Sequence, residues 1–187
     1  MSGWELPEAA EVNGTAYAVR SDFRAVLDVL EILGDPELSD AERGALACEV
    51  FYPGFRDMPR GDRQAAGEFL MWFVKGGDSP ARAPQRKLVD WGQDFPLIIG
   101  PVNRVLGYEA RAREHVHWWT FLAAYCEVGD CLFAQVVSIR RKRQRGAKLE
   151  KHERRFYNEN RGLVDFQVAE TGAEKALKDE WMGVSDG

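Results

Sequence analysis

Asp90 and Asp94 stand one helical turn apart beside Trp91, and His115 and His117 stand two residues apart ahead of Trp118-Trp119. Carboxylates at i and i+4 share a helix face, as a general acid and base or two metal ligands would. Two like charges there repel each other unless a cation faces them, and Arg140 supplies one at the end of the stripe begun by Phe133 and Val137. The default reading is a pair of solvated surface carboxylates; the hypothesis set beside it is a structural polar network of Asp90, Asp94, His117 and Arg140, in which the pair contacts Arg140 or the His115/His117 segment. On a helix, His115 and His117 would point about 200° apart, unlike the i, i+4 pair of a zinc metalloprotease. No metal is therefore expected, and a histidine that satisfies the start of a helix is the better reading. Cys126 and His152 make a nucleophile and base only if folding joins them, so a buried, inert Cys126 is expected. No P-loop, dinucleotide-binding glycine pattern, G-x-S-x-G or H-E-x-x-H occurs, which leaves catalysis and cofactor binding without support.

The largest charge feature runs from Arg140 to Arg155, with nine Lys or Arg against Glu150 and Glu153, a net +7. Because the whole chain is −5, the remainder carries −12. A nucleic-acid binder sets such a stripe on a neutral or basic body and interleaves aromatic residues for stacking. Here the body is acidic and Phe156 and Tyr157 come only at the end, so nucleic acid is a disfavoured partner. Two readings stand: a solvated helix laced by Glu150–Arg154 pairing, or docking onto an acidic protein through Arg141, Arg143, Arg145 and Lys148. Trp118 shares a helical stripe with Phe121, Leu122 and Tyr125 and is expected in the core. Trp119, about 100° around the same helix, falls at the boundary, where with His115 it either covers a core edge or meets a partner.

The elements that must position these residues are mostly helical. Val12-Asn13-Gly14-Thr15 between short alternating runs predicts a tight β-hairpin. Ser21 is expected to cap a helix carrying Phe23, Val26, Leu27, Leu30 and Leu33, with Gly34 as a left-handed stop. Ser39 and Glu42 form a capping box for a second helix through Leu46, Val50 and Phe51, ended by Pro53-Gly54. A third starts near Asp62 and closes at Gly76-Gly77, followed by a flexible loop over 76–86. Leu88 to Leu106 reads as a fourth, kinked or split by Pro96 and Pro101. Trp118–Cys126 and Leu132–Ile139 give a fifth and sixth, and 148–160 a polar helix. The fold class predicted is an all-α irregular bundle of about six or seven helices with an N-terminal hairpin.

Length favours one shared core over residues 1–165, with 166–187 as a polar, mobile tail holding at most one short helix near Glu174 to Trp181. A chain 45% hydrophobic and 29% charged is neither globally disordered nor a disulfide scaffold. Phe69–Val74 and Trp118–Cys126 are far short of the about 18 to 20 apolar residues that cross a bilayer, so no membrane role is expected. Glu5, Glu8 and Glu11 precede any Lys or Arg, the reverse of a secretory signal. The three cysteines match neither a zinc knuckle nor a CxxC pair, which fits a reducing cytoplasm.

Several stretches taken together carry a resemblance: Leu6-Pro7 with Gly14 and Tyr17, Arg20-Ser21-Asp22-Phe23-Arg24, Phe51-Tyr52-Pro53, Asp90 to Asp94, His117-Trp118-Trp119-x-Phe121, and Phe133-x-Gln135-Val136-Val137-x-Ile139-Arg140. Their order and spacing resemble the bacteriophage Gp-fifteen family of siphophage and prophage tail modules over residues 6 to 165, most specifically in the His-Trp-Trp segment and the Ile139-Arg140 helix. The resemblance implies a gene between those of the major tail protein and the tape-measure protein, where tail-assembly chaperones are encoded. It further implies a non-catalytic protein of the host bacterial cytoplasm, partnered by the tape-measure protein, the tail-tube protein or an upstream tail-assembly chaperone, that leaves before the tail is complete. The alternatives are a minor tail or connector protein retained in the virion and a small regulatory nucleic-acid binder. The Lys/Arg run after Arg140 and the tail beyond 165 depart from the family pattern.

Overall fold

The computed structural model describes residues 5–77 and 87–167. Two strands, β1 (Ala9–Val12) and β2 (Thr15–Ala18), precede α1 (Phe23–Gly34), α2 (Asp40–Phe51), α3 (Arg63–Val74), α4 (Trp91–Leu106), α5 (Trp118–Cys126), α6 (Leu132–Gln144), α7 (Lys151–Glu159) and α8 (Arg161–Val164). The fold is mostly α with an N-terminal hairpin, as predicted, and holds eight α-helices among the described residues.

In the hairpin Val12 pairs with Thr15, and Asn13 (φ 49°) and Gly14 (φ 81°) form the turn. Two successive positive φ values match the twist of the flanking strands. β1 turns Ala10 and Val12 into the core. The tip is tied to the start of α3: Tyr17 Oη and Asn13 Nδ2 donate to Asp62 at 2.6 and 2.8 Å. These donors hold the Asp62 carboxyl below its ordinary range, and the same bond raises the Tyr17 phenol.

Asp22, and not Ser21, caps α1, its Oδ1 accepting the Arg24 N–H at 3.0 Å, because the Ser21 hydroxyl is already engaged elsewhere. α1 ends without a left-handed residue at Gly34; Asp35 is extended and returns its N–H to the Ile32 carbonyl. The Ser39–Glu42 capping box opens α2 as predicted, but Leu46 is 40% exposed and Ala47, Cys48 and Phe51 take the core positions. α4 starts at Trp91 rather than Leu88 and runs as one helix through Pro96 and Pro101. Burial of Ile98, Ile99 and Val102 offsets the about 3 kcal/mol that an interior proline costs.

The main core gathers Phe23, Phe51, Phe73, Trp118 and Phe121, with the Phe23 and Phe121 rings stacked at 4.5 Å. A second, smaller cluster of Val136, Ile139 and Val164 is fenced by Leu149, Phe156 and Tyr157, and Leu97 on α4 touches both clusters. Cys48 is the buried cysteine, whereas Cys126 is exposed. No helix among the described residues is long and apolar enough to cross a membrane. The loop expected over 76–86 lies outside the described residues beyond Gly77, as do the tail beyond Gln167 and the short helix expected within it.

Candidate functional site

His115 and His117 precede α5 rather than riding on it, so the helical angle expected between them does not arise. They belong to an antiparallel bridge with the start of α1: Phe23 N–H donates to the Val116 carbonyl and Trp118 N–H to that of Ser21, at 2.9 and 2.7 Å. Asp22 Oδ2 accepts the Val116 N–H, and Arg24 pairs with Asp22 while donating to the Ala110, Arg111 and Arg113 carbonyls. His117 caps α5. Its Nδ1 accepts the Trp119 N–H at 3.0 Å, so the proton sits on Nε2, which donates to the Pro7 carbonyl at 3.1 Å. His115 is exposed, with Nε2 3.0 Å from Ser21 Oγ. Ser21 donates its only proton to Glu8 at 2.7 Å, which makes His115 the donor to Ser21 and not a base for it.

The adjacent indoles close the end of α3. That helix stops in a Schellman turn: Gly77 N–H donates to the Trp72 carbonyl and Gly76 N–H to that of Phe73. Trp118 and Trp119 then donate to the Val74 and Phe73 carbonyls at 2.9 and 2.8 Å. Trp118 is buried as expected, 1% exposed. Trp119 is half-buried against Trp72 and Phe73. A Cβ on Gly77 would lie 3.1 Å from its ring, so the close approach needs glycine. Trp119 thus covers a core edge.

Asp94 and Arg140 meet in the interior. Asp94 is fully buried and Arg140 is 3% exposed; NH1 and NH2 grip the two carboxylate oxygens at 2.5 and 2.9 Å. The remaining guanidinium protons go to the Val164, Leu88 and Leu163 carbonyls at 2.7, 3.1 and 2.8 Å, so all five are used. The Phe166 ring lies 4.2 Å over the guanidinium. Arg140 therefore fastens the chain before α4 and the end of α8 to α6. Asp90 takes a separate position as the cap of α4, accepting from Gln93 N–H and Lys87 Nζ. Burial raises its carboxyl, but those bonds outweigh it and leave the group below its ordinary range. His117 is not part of this network. Among the described residues no group of three or more His, Cys, Asp or Glu could hold a metal ion.

The basic stretch divides by position. Lys142 pairs with Glu153 at 2.6 Å, a bond that raises the ammonium and lowers the carboxyl. Arg143 pairs with Asp165 and lies over the Tyr157 ring, and Arg155 pairs with Glu159. Arg141, Arg145, Lys148 and Lys151 are exposed and form no ion pair with a described carboxylate, leaving a cationic ridge along the end of α6 and the start of α7.

A feature of opposite sign was overlooked in the sequence. A groove of about 850 Å³ lies between α1, α3 and the start of α4, floored by Leu30, Leu33, Met71, Val74, Val89 and Trp91. Glu31, Asp35, Glu37 and Asp90 line it together with Lys75 and Lys87, the last paired with Asp90. The signal was present: residues 28–42 hold six carboxylates and no Lys or Arg. Met71 is 41% exposed on the groove floor.

His117 and the Asp94–Arg140 pair are engaged within the fold, and the open cationic side chains lie on its surface. No curated protein and no solved structure matches the chain. The segments from Asp90 onward that carried the most specific part of the resemblance lie outside the matched stretch. Residues 4–78 match the family model described as Bacteriophage Gp15 protein, and over that stretch the chain is similar to that phage family.

Proposed function

We propose that this protein is a non-catalytic component of phage tail assembly, a chaperone that binds the tape-measure protein, the tail-tube protein or both while the tail is built. The observation that carries this reading is the family match over residues 4–78, joined to the gene position that the resemblance implies. The surface supports it. An apolar groove edged by charges of both signs and a cationic ridge are suited to polar, reversible protein contacts. His117 has both ring nitrogens committed, His115 donates to Ser21, and Arg140 has no proton left to offer a substrate. The test is co-purification with the neighbouring tail proteins from infected or induced cells, set beside mass spectrometry of finished particles. A chaperone co-purifies with the tape-measure or tube protein and is missing from particles. Fixed copy number in the particle would instead make it a minor tail or connector protein and overturn the proposal.

A further inference from the structure

The last described residues run along the C-terminal half of α6. Asp165 pairs with Arg143, the Phe166 ring covers the Arg140 guanidinium at 4.2 Å, and the Gln167 N–H donates to Gln93 Oε1 at 3.0 Å. Lys87, whose ammonium lies 5.8 Å from the centre of the Phe166 ring, accepts the Gln144 amide on its carbonyl at 2.6 Å, so the chain leaves Gln167 close to Gln144. Arg141 and Arg145 follow Arg140 and Gln144 by one position, about 100° further round the helix, which puts the start of the ridge on the flank of this contact. Lys148 and Lys151 continue it beyond the turn at Gly146. Among the described carboxylates of this stretch, Glu153 and Glu159 are paired with Lys142 and Arg155. That leaves Glu150, 3.5 Å from His152, as the carboxylate set among four cations without an ion pair.

We propose that this ridge is the docking site of the chain's own acidic segment 168–187, with Glu170 and Glu174 set against Arg141, Arg145 and Lys148. Charge and reach select the segment. It carries Glu170, Glu174, Asp179, Glu180 and Asp186 against Lys175 and Lys178, and the first two charges after Gln167 are both carboxylates. Three residues of extended chain span about 10 Å, enough for Glu170 to pass a quarter-turn around a helix about 10 Å across. Glu174, four residues further on, has the reach to meet Lys148 past the Gly146 turn. The groove is a poorer host for it, because Lys87 is already paired with Asp90 there and Lys75 shares the lining with Glu31 and Asp35. A single surface ion pair is weak, but attachment at Gln167 holds the segment at an effective concentration on the order of millimolar. An acidic partner then meets the ridge only by displacing it. Both parties belong to this chain, so the proposal stands apart from the chaperone reading, whose test reads other proteins.

Zero-length cross-linking of the full chain with a water-soluble carbodiimide at about 50 mM salt tests it. Within single chains, peptide mass spectrometry should find amides joining Lys148 or Lys151 to Glu170 or Glu174, beside the internal control Lys142–Glu153, a pair at 2.6 Å. At about 500 mM salt, where the Debye length has fallen to a few ångströms, the cross-links to 170 and 174 should fall at least about threefold while the control persists. Acetylation of Lys148 at low salt should be at least about threefold faster in E170Q/E174Q than in the wild type, and the two should agree at high salt. E170K/E174K and R141E/R145E should each release the segment while keeping wild-type circular dichroism. Combined in one chain they should cross-link again, positions 170 and 174 now supplying the amines and 141 and 145 the carboxylates. A control cross-link with none from 148 or 151 to 170 or 174 overturns the proposal, as does Lys148 acetylation that E170Q/E174Q leaves unchanged. Cross-links confined to covalent dimers would give the ridge to a second copy, and retention on a single-stranded oligonucleotide that is equal in wild type and E170Q/E174Q would give it to nucleic acid; either result overturns it as well.

Discussion

Replacing Arg140 by Met removes five hydrogen bonds at once and leaves the carboxylate of Asp94, 0% exposed, with the Asp90 N–H as its remaining donor. An uncompensated buried charge costs about 3–5 kcal/mol, a large share of the about 5–15 kcal/mol that holds a domain folded. Asp94→Leu should cost somewhat less, about 2–4 kcal/mol, because the guanidinium keeps the Leu88, Leu163 and Val164 carbonyls and the Phe166 ring. The double variant removes both charges and strips donors from three carbonyls, about 1 kcal/mol each. It should therefore cost about 3 kcal/mol, well below the two single losses together, with a coupling energy of about 4 kcal/mol. Urea unfolding followed by tryptophan fluorescence measures all four corners of the cycle. Hydrogen exchange supplies a local readout: the Arg140→Met chain should lose protection over residues 160–167 before the main core opens, since those carbonyls are what Arg140 holds. A coupling below about 0.5 kcal/mol would refute the assignment of Arg140 as the fastener of α8 to α6 and α4.

Trp118→Ala should cost about 3–5 kcal/mol, as for other large-to-small core changes, whereas Trp119→Ala should cost about 1–3 kcal/mol for a half-buried ring and its bond to the Phe73 carbonyl; equal large losses in denaturant melts would show that the indoles are misassigned. Alkaline titration gives the second check. Burial foremost, then the neighbouring Cys126 and Asp94, push the Tyr125 phenol up to about 12, and burial pushes Tyr52 higher still. A raised pKa means that the fold favours the neutral phenol, so its contribution is intact below the unfolded value of about 10 and is lost as pH rises towards about 12. Stability should thus fall across that interval and fall less in Tyr125→Phe. Ionisation of every tyrosine near pH 10 with the fold intact, read by tyrosinate absorbance, would contradict the burial of both rings.

Local signals carried the hairpin and most of the helices, because a type I′ turn at Asn13-Gly14 and a capping box at Ser39–Glu42 are written in a few adjacent residues. They failed where a distant residue competes. Ser21 is a good capping residue in isolation, yet Glu8 and His115 take its hydroxyl and Asp22 caps in its place. Pro96 and Pro101 predict a break, but periodicity within one segment does not show the burial of Ile98 and Val102 against the rest of the chain. The pairing of an Asp at 94 with an Arg at 140 was legible as a charge needing a partner; that Asp90 would turn to Lys87 and Gln93, and that five protons would be distributed over three chain segments, was not. The groove is not legible in any one segment, because its lining is spread across α1, the following turn, α3 and the start of α4.

The matched stretch, residues 4–78, does not close its own core. Residues 4–78 end at α3, whose last carbonyls are covered by the Trp118 and Trp119 indoles from outside the match. Its first helix begins on a bridge to Val116–Trp118, and Asp22 spends one oxygen on capping and the other on the Val116 N–H. Phe23 stacks on Phe121. Removing everything after residue 78 would uncover Phe23 and Phe73 and orphan the capping groups, so the matched segment depends on the start of α5 for its core. The satellite formed by α6 to α8 differs in kind. Its α6 is rooted in the main core by Phe133, which packs on Tyr125, while α8 is held through Arg140 and through Gln93, which donates to the Asp165 carbonyl and accepts from Gln167. Polar bonds around a small apolar cluster make the α8 end a joint that opens at lower cost than the main core. A partner that competes for the Leu163 and Val164 carbonyls or for Phe166 would therefore act on α8 without disturbing the hairpin and α1–α3.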